Sequence, residues 1–184
     1  ERILGQYLSL SDRATSPTTS GVGDVTHLIW PESPFPFILS QDAPSLARIG
    51  ALLGTSTILI TGAARAEAVT EGVGARAGAR ARYFNSIHVI GRGGIILDTY
   101  DKAHLVPFGE YFPVPGFIRS WMRYMNLPTG DAIAGAADQP PLDASGERIA
   151  ITICYEDVFG AEQLHYLPDA TLLVNVTNDA WFGN

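Results

Sequence analysis

The strongest constraint on this chain is a set of short, largely apolar runs that end abruptly at proline or at polar residues: Val25 to Trp30, Thr57 to Thr61, Arg148 to Ile153 and Ala170 to Thr177. Runs of this length that lack strict two-residue alternation are expected of strands covered on both faces. Helical spacing fills several of the intervals. Ile3, Leu4, Tyr7, Leu8 and Leu10 make Arg2 to Leu10 a short amphipathic helix, and Ser45 to Leu53 and Val158 to Tyr166 read as two more. Strands alternating with helices in this way predict an α/β fold in which helices cover a sheet. No internal repeat and no linker divides the sequence, so residues 1–184 are expected to form a single domain.

The middle of the chain reads differently. Tyr83 to Ile90, the turn Gly91-Arg92-Gly93-Gly94 and Ile95 to Tyr100 predict a β-hairpin. The Ala-, Gly- and Arg-rich stretch from Ala63 to Arg82 has no hydrophobic period and is expected to be a long loop, as is Thr129 to Glu147. Phe117, Ile118, Trp121, Met122 and Met125 would share one face of a helix from Phe117 to Met125. That face fits a protein core, and it equally fits an arm lying at a bilayer interface, with Trp121 and Met122 toward lipid.

Composition excludes several classes of function. A hydrophobic fraction of 46% with 17% charged residues describes a globular chain rather than a disordered one. A net charge of -7, with arginines scattered, argues against a nucleic-acid surface. The longest uncharged stretch, between Arg48 and Arg65, falls short of the roughly 20 residues a spanning helix needs. The single cysteine, Cys154, precludes an internal disulfide and disfavours a cysteine metal site, leaving an inert buried thiol or a reactive one. Lys102 is the only lysine in a chain that otherwise uses arginine.

Three strand ends carry chemically useful residues: Trp30-Pro31-Glu32, Tyr100-Asp101-Lys102 and Ile153-Cys154-Tyr155-Glu156. Ligand sites of α/β folds gather beyond the carboxyl ends of the strands. Taken singly, a strand-end Glu or Lys is most often a solvated loop residue. Together they make a coherent set, because a thiol needs a base to become a thiolate and a cation to steady developing negative charge.

In order and spacing these segments resemble the Glu-Lys-Cys motifs of the carbon-nitrogen hydrolase (nitrilase) superfamily. Within it, Lys102-Ala103-His104-Leu105-Val106-Pro107-Phe108-Gly109-Glu110-Tyr111, Cys154-Tyr155-Glu156 and Asn178-Asp179-Ala180-Trp181-Phe182-Gly183 look like the acyl-transferring branch, the apolipoprotein N-acyltransferases. The resemblance implies a four-layer α-β-β-α sandwich, incomplete in this chain, which would lack an N-terminal membrane region and a C-terminal part. It implies Glu32 as general base, Lys102 as oxyanion partner, Cys154 as nucleophile and Glu110 as a supporting carboxylate. Tyr155 and Glu156 would handle substrate or simply shape the turn, and His104 would pack rather than react. No metal or organic cofactor is implied. The expected partners are a phospholipid acyl donor, a diacylglyceryl-apolipoprotein acceptor and the bacterial inner membrane, with the catalytic domain on its periplasmic side. A soluble amidase or nitrilase using the same three residues, and a catalytically silent domain of the same fold, remain alternatives.

Overall fold

The computed structural model describes residues 2–13, 21–68, 81–107, 110–111, 132–163, 166 and 168–178. Two sheets stack face to face. The first contains β1 (His27–Trp30), β2 (Ile58–Ala68), β3 (Ala81–Ile90) and β4 (Ile96–Asp101) in the order β1-β2-β3-β4. The second contains β5 (Leu142–Ala144), β6 (Glu147–Ile153) and β7 (Leu172–Val176), with β6 central. Both sheets are mixed. β1 runs parallel to β2 and β6 parallel to β7, and the remaining pairs are antiparallel.

Side-chain alternation separates the layers, since successive residues of a strand point to opposite faces. Ile58, Ile60, Ile87, Val89 and Tyr100 meet Leu142, Ile149, Ile151, Ile153, Val174 and Val176 in the core between the sheets. Leu59, Ala63 and Ile90 face the other way and pack with Leu4 of α1 (Arg2–Ser11) and Ile49 of α2 (Ala43–Leu52). The described layers are thus helix pair, sheet and sheet, an α/β sandwich as expected. The short α3 (Gly160–Gln163) follows β6.

Several boundaries depart from the sequence-based expectations. The stretch from Ala63 to Arg82 is not a loop throughout: β2 continues to Ala68 and β3 begins at Ala81, paired residue for residue from Ala63↔Ser86 to Ala68↔Ala81. A backbone ladder needs no hydrophobic period, and this one is clamped by Arg65, whose guanidinium lies 4.2 Å from the Phe84 ring centre and pairs with Asp101 at 2.6 Å. The expected loop from Thr129 to Glu147 contains β5, hairpinned onto β6 through Ser145 (φ 58°) and Gly146 (φ 90°). Positive φ at both turn residues suits the right-handed twist of a two-residue hairpin, and glycine adopts it readily. α2 starts at Ala43, earlier than Ser45, because the Asp42 carboxylate accepts from the Ser45 N–H and caps the helix. The helix expected from Val158 starts only at Gly160, since Cys154 to Val158 form a 3₁₀ turn. The predicted helix from Phe117 to Met125, with Trp121 and Met122, lies outside the described residues. Among those residues, no helix is long and apolar enough to cross a membrane.

Candidate active site

Glu32 lies just past the end of β1, in a proline-rich loop without regular structure. Aromatic packing fixes the loop at both ends: Trp30 and Phe35 stand 5.9 Å apart, each against Tyr7, and the Trp30 indole N–H donates to Ser11. Between them the backbone crosses β2 closely. A Cβ at Gly62 would fall 2.7 Å from the Cα of Glu32 and 2.7 Å from the backbone nitrogen of Ser33. Only a glycine admits that approach without displacing backbone, which brings Glu32 down onto the sheet.

Lys102 follows β4 directly, and its backbone N–H donates to the Asn85 carbonyl of β3 at 2.8 Å. Register puts it on the inward face shared with Tyr100, and its side chain is 1% exposed. An ammonium removed from water needs compensating charge. Glu110 supplies it at 3.0 Å through Oε2, and Glu32 at 3.7 Å through Oε1. The two carboxylates are held differently. Glu110 is engaged through both oxygens, accepting from the Asn85 amide on Oε1 (2.7 Å) and from the Val106 N–H on Oε2 (2.9 Å). Among the described residues, both contacts of Glu32 fall on Oε1, the second being from the Asn85 amide at 2.7 Å.

Cys154 occupies the carboxyl end of β6, in the other sheet, and is partly exposed. Its φ of 53° lies in the left-handed region, where a side chain other than glycine is strained by about 1–3 kcal/mol. The chain bends there from strand into the 3₁₀ turn, lifting the cysteine off the strand. Asn175 of β7 donates to its carbonyl at 3.2 Å.

Glu156 joins the two sides. Its side chain is buried, and Oε1 accepts from the backbone N–H groups of Ala103 (2.7 Å) and His104 (2.9 Å), the residues after Lys102. Oε2 accepts from the N–H of Ile153, the residue before Cys154, at 2.8 Å. The Tyr100 hydroxyl donates to both oxygens, at 3.1 and 3.2 Å. Burial, reinforced by the Glu156 charge, pushes the Tyr100 phenol far above its usual range, so it stays a donor. Glu156 is therefore a structural cross-tie rather than an exposed group. Tyr155, by contrast, is 43% exposed and meets Phe159 edge-on, with His104 stacked on the same ring.

The structure thus gathers Glu32 and Glu110 around the buried Lys102 ammonium, and links the segment after Lys102 to the Cys154 turn through Glu156. Sequence reasoning missed Asn85. Part of its signal was present: asparagine is disfavoured in strands, and Asn85 stands at the end of an inward stripe continued by Ile87 and Val89, while its place opposite Lys102 follows from the register shift between Val89 and Ile90.

The described residues thus form a mixed α/β sandwich in which a carboxylate-lysine cluster is tied through Glu156 to the turn that carries Cys154. The carbon-nitrogen hydrolase family matches residues 13–184, and the chain belongs to it. It is 40% identical over 183 residues to an apolipoprotein N-acyltransferase of Bradyrhizobium diazoefficiens and 40% identical over 183 residues to one of Rhodopseudomonas palustris, in each case covering 98% of this chain and 33% of the relative. The chain therefore spans about a third of the length of these curated relatives. In fold it is similar to a carbon-nitrogen hydrolase from Helicobacter pylori G27, with a TM-score of 0.61 at 17% identity over 96% of this chain and 54% of that one.

Proposed function

We propose that this chain performs cysteine-dependent acyl transfer as part of an apolipoprotein N-acyltransferase, with Glu32, Lys102 and Cys154 as the catalytic residues. The observation that carries the reading is the buried Lys102 ammonium between two carboxylates, cross-tied through Glu156 to the turn that presents the chain's only thiol. The similarity to apolipoprotein N-acyltransferases supports the choice of reaction within the family.

In the first half-reaction Glu32 takes the thiol proton on Oε2, and the Cys154 sulfur attacks the carbonyl carbon of a phospholipid ester. Lys102 and the backbone N–H of Tyr155 stabilise the oxyanion. Collapse breaks the ester C–O bond, the alkoxide of the departing lysophospholipid recovers the proton from Glu32, and a thioester remains on Cys154. In the second half-reaction the α-amino group of a diacylglyceryl-cysteine attacks the thioester, Glu32 accepts its proton, and the thiolate leaves. The uneven engagement of the carboxylates favours this division of roles: Glu110 is engaged through both oxygens, whereas the contacts of Glu32 among the described residues fall on Oε1 alone. The membrane is then the donor's source, and the site faces the periplasm.

Hydrolysis of a carbon-nitrogen bond would use the same residues with water as acceptor, and the family's chemistry favours it as the second reading. Incubating the full-length protein with phospholipid and resolving it by mass spectrometry tests both. An acyl mass on Cys154, absent in Cys154→Ala and discharged by a lipopeptide amine faster than by water, is expected. An adduct that persists in Cys154→Ala overturns the nucleophile, and discharge to water alone overturns the transferase.

A further inference from the structure

We infer that Asn85 is a positioning residue that sets the ionisation of the Glu32–Lys102–Glu110 cluster, and hence the pH range in which Cys154 reacts. The inference rests on the proposed roles of Glu32, Lys102 and Cys154. Asn85 touches every member of the ion cluster: its backbone carbonyl accepts from the Lys102 N–H at 2.8 Å, and its amide nitrogen donates to Glu32 and to Glu110, each at 2.7 Å. Because ionised carboxylates only accept, the amide must turn its NH₂ toward them. The Ser33 hydroxyl, 3.5 Å from Asn85 Oδ1, lies on the acceptor side.

Chemistry explains why an amide suits this place. Two carboxylates around one ammonium leave the cluster with an excess negative charge, and the carboxylates repel each other. A neutral amide gives each of them one N–H without adding a second cation that would compete with Lys102. It also fixes the distance between Glu32 and Glu110, and so the position of the ammonium between them. A leucine would leave both carboxylates short of a donor in a partly buried site. An aspartate of the same shape would add a third negative charge facing the other two.

The test uses the full-length protein and two readouts: acylation of Cys154 by phospholipid, and alkylation of Cys154 by iodoacetamide across pH 5 to 10. Asn85→Asp is expected to move the alkylation midpoint up by about one pH unit, because added negative charge disfavours the thiolate. Asn85→Ala is expected to slow acylation about 10- to 100-fold at saturating donor, with KM unchanged, because the amide is spent on Glu32 and Glu110. Asn85→Gln, which keeps the amide one methylene out of place, should recover part of that loss. A purely structural role predicts lower melting temperatures with an unshifted alkylation profile in Asn85→Asp, and that result overturns the inference. If Asn85→Ala fails to fold, the Asp and Gln variants decide by the same profile. A shifted profile in a protein that transfers no acyl group would leave this inference standing and remove the proposed reaction; normal transfer with an unshifted profile would do the reverse.

Discussion

The two halves of the candidate site are held by different physics. At the end of the four-stranded sheet, Glu32, Lys102 and Glu110 come from separate segments and are placed by one another, through ion pairs and the shared Asn85 amide. At the end of the three-stranded sheet, Cys154 is placed by its own backbone, a left-handed residue between strand and 3₁₀ turn. A mutually placed cluster is sensitive to the charge and shape of each member. A backbone-placed residue is sensitive to whatever anchors the turn, here the Glu156 carboxylate. The difference teaches where each half should break.

Lys102→Arg tests the mutual half most severely. The charge survives, but a broad planar guanidinium does not fit between carboxylates spaced for an ammonium. Acyl-enzyme formation should fall on the order of 100-fold or more, the scale of losing one oxyanion donor. Near-normal single-turnover rates would mean that the cluster supplies only charge. Glu156→Gln attacks the tie between the halves, because an amide nitrogen must then face a backbone N–H that it cannot accept from. Both readouts should drop together, with acylation slowed about 10- to 100-fold and stability to denaturant reduced by about 2 kcal/mol. A loss of stability with full activity would show that the two halves hold their geometry independently.

A smaller kinetic effect is expected from Gly62→Ala, which intrudes on the Glu32 loop and leaves Lys102 and the cysteine turn alone. Acylation should slow about tenfold, with little change in the total Cys154 alkylated at completion. An unchanged rate would show that the loop yields without moving the carboxylate.

His88 provides the control, since it sits on the face of β3 opposite to Ile87 and Val89, where its Nδ1 meets the Thr99 hydroxyl and it joins none of the hydrogen bonds described for either half. Burial lowers its pKa from 6.5 to about 4, and its Nε2 has no hydrogen-bond partner among the described residues. Because the folded value lies below the unfolded one, the unfolded chain binds the proton first. Its contribution is complete above pH 6.5 and is lost as the pH falls toward 4, on the order of 3 kcal/mol. His88→Gln should flatten that slope in urea melts between pH 7 and pH 4.5 and leave acylation at neutral pH unaltered. A wild-type slope in the variant would assign the acid lability to other groups.

Much of this was legible beforehand because it depends on local rules. The apolar runs place the strands, and Trp30-Pro31-Glu32, Asp101-Lys102 and Ile153-Cys154 sit at strand ends, where the structure has them. What was missed depends on pairing between distant segments. Residues 63 to 68, 81 and 82 look featureless because alanine and arginine carry no hydrophobic pattern, and they become strand by pairing, Ala68 with Ala81 and Glu67 with Arg82, and through the Arg65–Asp101 pair. β5 is only three residues long and exists because β6 offers it an edge.

By itself the sequence determined the α/β class, the strand-end placement of Glu32, Lys102 and Cys154 and the family, since periodicity and motif order are properties of the chain read in one direction. Only the tertiary structure decided the division of labour among the carboxylates. Glu32, Glu110 and Glu156 are the same residue type in similar loop-like settings. Burial and hydrogen bonding turn one into a carboxylate whose contacts among the described residues fall on one oxygen, one into the anchor of Lys102 and one into a cross-tie between sheets. Those fates follow from which donors the fold aims at each oxygen, and the donors come from residues up to 56 positions away.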